Sequence, residues 1–269
     1  MSMEAGSALQ ESAGAEGQRE IRALVTGGGS GMGLAIARRL KARGASVLIC
    51  GRREEVLASA IAELEELDTG SARQLVVDLE RPEGAATAVD ACVESFGGIE
   101  VLVNNAGIAE FCPFEEITVE SWDRSQKLMV RAPMLAIQAA LPLMAAAGGG
   151  RVVNNSSVSG FLSEPGSAQY SAAKAALISL TRTAAVDLAA RGIRVNAVAP
   201  GWVKTDMSSQ FLDSVDLGRF DRVNPAARVG EPDEIAAVVE FLALDAPDFL
   251  NGETILVDGA QAPFLPLPE

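Results

Sequence analysis

The sequence predicts a single α/β domain: an open, doubly wound parallel sheet of about seven strands with helices on both faces. Three observations carry that prediction. Short runs rich in β-branched residues recur along the chain, separated by segments whose apolar residues keep a helical period. Those runs are apolar without alternation, the pattern of strands covered on both faces. No linker and no internal repeat divides the chain, and strands that alternate with helices form parallel sheets.

The elements follow in order. Residues 1–20 hold Glu4, Glu11, Glu16 and Glu20 with one base, Arg19, and no apolar stretch. They read as a disordered tail without chemistry, not as a secretion signal. The domain is read over 21–260, with 261–269 as a C-terminal tail. The predicted strands are Ala23–Thr26, Val47–Cys50, Leu75–Val77, Val101–Asn104, Arg151–Asn155, Arg194–Ala199 and Thr254–Val257. Between the third and fourth, Ala85, Ala88, Val89, Cys92, Val93 and Phe96 keep a helical period, with Pro82 suited to a first helical position. Two long helices are expected at Val119–Ala147 and Ala168–Ala190. Gly148–Gly150 precedes a strand and reads as a turn. Lys204–Asn224 is the one long irregular stretch, a candidate lid.

Composition narrows the function classes. The 269 residues are 48% hydrophobic and 22% charged, which suits a soluble globular protein, and no apolar run approaches the roughly 20 residues of a membrane span. A net charge of −14 removes the basic footprint that nucleic acid requires and is repelled by an anionic membrane surface. Cys50, Cys92 and Cys112 lack metal-ligand spacing and read as thiols in a reducing cytoplasm. The chain has no histidine, which excludes Ser-His-Asp triads, Cys-His dyads and histidine zinc sites. Proton transfer near neutral pH then falls to Tyr, Lys, Cys or a carboxylate, and Tyr170 is the sole tyrosine.

The first strand runs into Thr26-Gly-Gly-Gly-Ser-Gly-Met-Gly33 and then into the apolar helical pattern Leu34, Ala35, Ala37, Leu40. Glycines there allow a tight turn and close approach of backbone to a pyrophosphate, which the following helix N-terminus attracts. Gly27, Gly29, Ser30, Gly31, Met32 and Gly33 are therefore candidate cofactor contacts. At the end of the second strand, an acidic residue would hold the ribose 2′-hydroxyl of NAD. Gly51 stands there, followed by Arg52 and Arg53, and a guanidinium suits a 2′-phosphate. NADP(H) is favoured over NAD(H).

Tyr170 and Lys174 lie four apart in a helical pattern, on one face. A tyrosine titrates near 10, so working near pH 7 asks for ~4 kcal/mol. An ammonium about 4–5 Å away supplies ~3–4 kcal/mol at an effective dielectric of about 20. Ser157, thirteen residues before Tyr170, is placed to hydrogen-bond a substrate oxygen, while Ser156 reads as a structural hydroxyl.

The spacing of the glycines, Asn104-Asn105-Ala106-Gly107 after the fourth strand, Ser157, Tyr170 and Lys174, Pro200-Gly201 after the sixth and Asp258-Gly259 after the last together resemble the short-chain dehydrogenase/reductase family, over about Ile21 to Ala260. The resemblance implies a Rossmann-like fold and a hydride transfer between NADP(H) and a carbonyl or alcohol. It gives Lys174 the nicotinamide ribose hydroxyls as a second partner. It places Asp78, with Leu79, at the adenine and Asn105, with Ala106 and Gly107, at the adenine-ribose pocket. Val203 and Thr205 would hold the carboxamide, Thr205 also suiting a helix N-cap. It further implies a homodimer or homotetramer.

One position departs from the family. Aligned through Trp122-Asp123-Arg124, the usual helix asparagine is Met129, which hydrogen-bonds poorly. Pro133, four residues on, has no N–H for the Met129 carbonyl and is expected to break the helix there instead. Loops at the strand ends carry Phe111, Phe114, Phe161, Leu162, Trp202, Met207, Phe211 and Phe220, which points to an apolar or aromatic ketone. A non-redox reaction on the same fold, or cofactor binding without turnover, are the other readings.

Overall fold

The computed structural model describes residues 20–214 and 217–263. Seven parallel strands form one sheet in the order β3-β2-β1-β4-β5-β6-β7. They are β1 (Arg22–Thr26), β2 (Ser46–Gly51), β3 (Ala72–Val76), β4 (Val101–Asn104), β5 (Gly150–Asn155), β6 (Ile193–Pro200) and β7 (Thr254–Val257). The helices are α1 (Gly31–Ala42), α2 (Glu54–Glu65), α3 (Gly84–Phe96), α4 (Val119–Gln126), α5 (Ala132–Ala146), α6 (Ala168–Leu188), α7 (Asp206–Ser214) and α8 (Pro232–Glu240). The expected tails at 1–19 and 264–269 lie outside the described residues.

Alternate strand residues supply two cores. Ala23, Val25, Val47, Ile49, Val101 and Val103 pack with α1, α2 and α8. Leu24, Leu48, Leu102 and Val152 pack with α3, α5 and α6 on the other face. Burial on both faces is why these strands read as unbroken apolar runs. The strand order reverses direction between β1 and β4, and such a switch point opens a crevice at the carboxyl ends of the strands.

Three expectations are corrected. β3 begins at Ala72 rather than Leu75, because the exposed polar Arg73 and Gln74 sit on an edge strand, where apolarity is not required. Pro82 lies ahead of α3, which starts at Gly84; a Cβ at Gly84 would overlap the Asp78 carbonyl, so the chain turns tightly there first. The stretch Lys204–Asn224 is not irregular throughout: it holds α7 and a 3-10 turn, Leu217–Arg222. The long helix Val119–Ala147 is interrupted. Lys127–Arg131 form a π turn between α4 and α5, in which the Ala132 N–H reaches back to the Lys127 carbonyl.

That interruption is the break expected at Met129. Pro133 stands near the start of α5 and has no N–H to continue α-helical bonding. The whole stretch Val119–Ala146 is long and apolar enough to cross a membrane by length and composition, contrary to the expectation from single runs. Its apolar side is accounted for here by the sheet: Met129, Ala136, Ala140 and Met144 are buried in the core.

Candidate active site

The glycine loop is fixed by its neighbours. Gly27 and Gly31 adopt positive φ of 64° and 53°, and a Cβ on Gly33 would overlap the Gly27 carbonyl oxygen. Thr26 Oγ1 accepts from the Asn105 and Ala106 amides at 2.9 and 3.0 Å, which ties the loop to the end of β4. The first residues of α1 have neither a side-chain cap nor an acidic neighbour. Their N–H groups and the helix dipole are therefore available to an anion.

On one side of the switch point the crevice is walled by Gly27, Gly29, Ser30, Gly51, Arg52, Arg53, Asp78, Leu79, Ala106 and Gly107. A second cavity, beside the first, is lined by Gly31, Met32, Gly33, Asn105, Arg53, Thr205 and Met207. Most of the sequence-predicted cofactor residues thus line these cavities, Pro200 and Lys174 excepted. Pro200 closes β6 without lining either space, while Gly201 and Val203 line a third cavity with Tyr170. Arg52 is not free: its guanidinium meets Glu80 at 3.1 Å, at an exposed position.

Asn105 also does structural work for the loop. Its amide nitrogen donates to the Thr26 and Gly27 carbonyls at 3.0 and 3.1 Å, and its Oδ1 accepts from Asn155 Nδ2 at 2.8 Å. The side chain lies across the strand ends as a brace for the loop, and lines the second cavity beside Gly27, Ser30 and Arg53. Asn155 continues the brace. Its backbone carbonyl accepts from Lys174 Nζ at 2.7 Å, and its own Oδ1 is buried without a partner among the described residues. That orphaned acceptor, the uncapped helix and the two arginines are features a dinucleotide fits.

The third cavity lies at the ends of β5 and β6. Ser157 ends its strand as the cap of a 3-10 turn, Val158–Gly160, and its Oγ accepts from the Ser159 amide at 3.1 Å. Tyr170 and Lys174 project from the first turns of α6, with Lys174 Nζ 5.5 Å from the tyrosine ring centroid. Ser157 and Tyr170 share the cavity, and a hydrogen bond between their side chains lowers the phenol's pKa slightly. Ser156 points elsewhere, donating to the Lys174 carbonyl at 3.0 Å.

Burial dominates the titration of this pair in the protein chain by itself. The tyrosine keeps some surface towards the cleft, yet burial pushes it up to about 12, against the help of Ser157. Burial also pushes Lys174 down to about 8. Tyr170 is accordingly a neutral phenol at pH 7, a proton donor at rest.

Of the eight loop residues expected near substrate, Phe111, Trp202 and Met207 line this cavity, and Phe111 stacks at a tilt on Tyr170 with centroids 6.5 Å apart. Phe220 is buried in the fold, and Phe114, Phe161 and Leu162 are exposed outside the cavity. The side chain of Phe211 lies outside the described residues. Thr205 directly precedes α7, and its amide donates to Ser208 Oγ at 3.0 Å, half of a capping box. Glu164 and Gln261 also line the cavity and were missed from sequence. The signal for Glu164 was its place between Ser157 and Tyr170, on a segment too short to leave the cleft. Cys50 and Cys92 are buried and pushed up to about 12 by desolvation, which removes them as nucleophiles.

A family model described as Enoyl-(Acyl carrier protein) reductase matches residues 27–260. Human dehydrogenase/reductase SDR family member 4 is 37% identical over 239 residues, 88% of this chain and 86% of its own. The chain belongs to the short-chain dehydrogenase/reductase family. Cyclohexanol dehydrogenase of Acinetobacter sp. (strain SE19) is 35% identical over 239 residues, covering 88% of this chain and 93% of that protein. The solved structure of a short-chain type dehydrogenase/reductase from Mycobacterium ulcerans superposes with a TM-score of 0.86 at 35% identity, over 91% of this chain and 90% of that one. As a short-chain dehydrogenase/reductase, the chain is an oxidoreductase that binds a nicotinamide cofactor. Within this family member the helix break at the Met129 position is present with no asparagine to support it.

Proposed function

We propose that the protein transfers a hydride between NADP(H) and a carbonyl or alcohol substrate with an apolar or aromatic body. The observation that carries this is the meeting of Ser157 and Tyr170 in one cavity, with Lys174 one helical turn behind. In reduction, Tyr170 gives its phenolic proton to the substrate oxygen while Ser157 steadies the charge developing on that oxygen. Lys174 holds ribose hydroxyls and replaces part of the hydration the buried phenolate has lost. A bound nicotinamide supplies or accepts the hydride.

Arg52 and Arg53 support NADP(H): both line the cofactor crevice, and no acidic residue stands at position 51. Phe111, Trp202 and Met207 support an apolar substrate body. The free thiols agree with work in the cytoplasm. Exposed Val119 and Trp122 on α4 and Val186 on α6 support a homodimer or homotetramer through those helices, with neither nucleic acid nor membrane as partner. The test is NADPH oxidation over a panel of aliphatic, cyclic and aromatic ketones. Consumption with a cyclic or aromatic member is expected. Product formed with no net change in NADPH would replace the reading with a non-redox one.

A further inference from the structure

The catalytic cavity has apolar walls and one carboxylate. Among its described lining residues, Glu164 is the single ordinarily charged side chain. It is half-buried, and burial raises its pKa. No described cation pairs with it. Its Oε2 accepts one hydrogen bond, from Ser159 Oγ at 3.2 Å, and Ser159 in turn accepts from Ser157 Oγ at 3.2 Å. Its charge reaches the chemistry, since it raises the pKa of Tyr170.

The backbone holds Glu164 in place. Its carbonyl accepts from the Ser167 hydroxyl at 2.8 Å and the Ser167 amide at 3.2 Å, and the adjacent Gly166 carbonyl accepts from the Cys112 amide at 3.0 Å. An ionised carboxylate offers about four acceptor positions, and one is used here among the described residues. Leaving such a group half-desolvated and under-bonded is costly unless a ligand completes it. The side chain is not spent on structure.

We infer that Glu164 is a specificity-determining residue, which receives a hydrogen-bond donor on the substrate, a hydroxyl or an ammonium, remote from the reacting carbonyl. This rests on the oxidoreductase reading and narrows its substrate to an apolar body carrying one donor. A carboxylate on the substrate is repelled by the same residue, and the net charge of −14 adds to that repulsion. An ammonium gains additionally by cancelling the charge that opposes the Tyr170 phenolate.

The experiment uses one ring ketone in four forms: unsubstituted, or bearing a hydroxyl, an ammonium or a carboxylate opposite the carbonyl. kcat/KM is measured with NADPH for the wild type, Glu164→Gln and Glu164→Leu, with cofactor affinity as the folding control. The wild type is expected to favour the hydroxyl and ammonium forms by about tenfold or more over the unsubstituted ring, with the carboxylate lowest. Glu164→Gln should keep the hydroxyl preference, lose the ammonium advantage and accept the carboxylate. Glu164→Leu should lose both donor preferences while the unsubstituted ring changes least. Turnover of all four with the same ratios in wild type and both variants overturns the inference alone. Absence of turnover of every form in the wild type overturns the oxidoreductase reading and the inference with it.

Discussion

The cofactor side and the substrate side of the cleft are made of different materials. On the cofactor side the work is done by backbone: positive φ at Gly27 and Gly31, an overlap that bars any side chain at Gly33, and the open N-terminus of α1. On the substrate side it is done by side chains, Phe111, Trp202, Met207 and Glu164, hung on short loops. Backbone demands admit very few residue types, so they leave a sharp imprint on a sequence. Cavity walls admit many, so they leave almost none. The two sides meet at Lys174, whose ammonium donates to the Asn155 carbonyl within reach of the brace from the glycine loop.

The largest effect should fall where chemistry is separable from cofactor binding. Tyr170→Phe is expected to cut turnover at least ~10²-fold with NADPH affinity nearly unchanged, whereas Lys174→Ala lowers both. Steady-state rates beside a fluorescence titration measure the two; full turnover by Tyr170→Phe would move the chemistry out of this cavity. Next comes pH. Alcohol oxidation needs the phenolate, and burial raises the phenol to about 12. Below that value each pH unit adds about tenfold to the phenolate fraction, so oxidation should climb from about pH 6 to about pH 9 while reduction, which uses the neutral phenol, does not. A flat oxidative profile would mean that bound cofactor, rather than burial, sets this group.

On the cofactor side, NADPH is expected to bind at least ~10-fold tighter than NADH, ~1.4 kcal/mol. Gly51→Asp combined with Arg52→Gln should reverse that order. The site can take the change, because the nearest atom to a Cβ at position 51 is Leu57 Cδ2 at 3.9 Å. Equal affinities in the wild type would sink the NADP(H) assignment. Behind the boundary between the sides, Met129→Asn should raise turnover by less than about tenfold, ~1.4 kcal/mol of barrier, with Pro133→Ala more harmful than Met129→Leu. A large rescue by the asparagine would show that the π turn alone does not suffice. The smallest effect concerns Glu80. Its ion pair with Arg52 is exposed, and such pairs contribute ~0.2–1 kcal/mol. Glu80→Gln should tighten NADPH by roughly two- to fivefold and leave NADH alone; equal changes in both would place Arg52 away from the 2′-phosphate.

Much of the sheet was readable because strands covered on both faces are predominantly apolar. β3 was misplaced for the complementary reason, since Arg73 and Gln74 sit at an edge. The glycine loop and the Ser157, Tyr170 and Lys174 spacing were readable as fixed distances along the chain. What sequence could not supply was burial. The Lys174–Tyr170 attraction was reckoned from spacing, while the desolvation that raises Tyr170 and lowers Lys174 depends on what packs around α6. The bracing role of Asn105 was missed because its partner, Asn155, is far away in the chain. Glu164 looked like any surface loop acid until the fold put it beside Ser159.

The π turn at Lys127–Arg131 has a further consequence, one of phase. Each helical residue advances about 100° around the axis, so one additional residue in a turn rotates everything beyond it by that amount. α5 presents Ala136, Ala140 and Met144 to the core. Deleting a single residue between Lys127 and Arg131 would restore an unbroken helix and swing that apolar row away from the sheet. The segment therefore behaves as an insertion that the fold has come to depend on: substitutions within it are absorbed, but a change in its length is not.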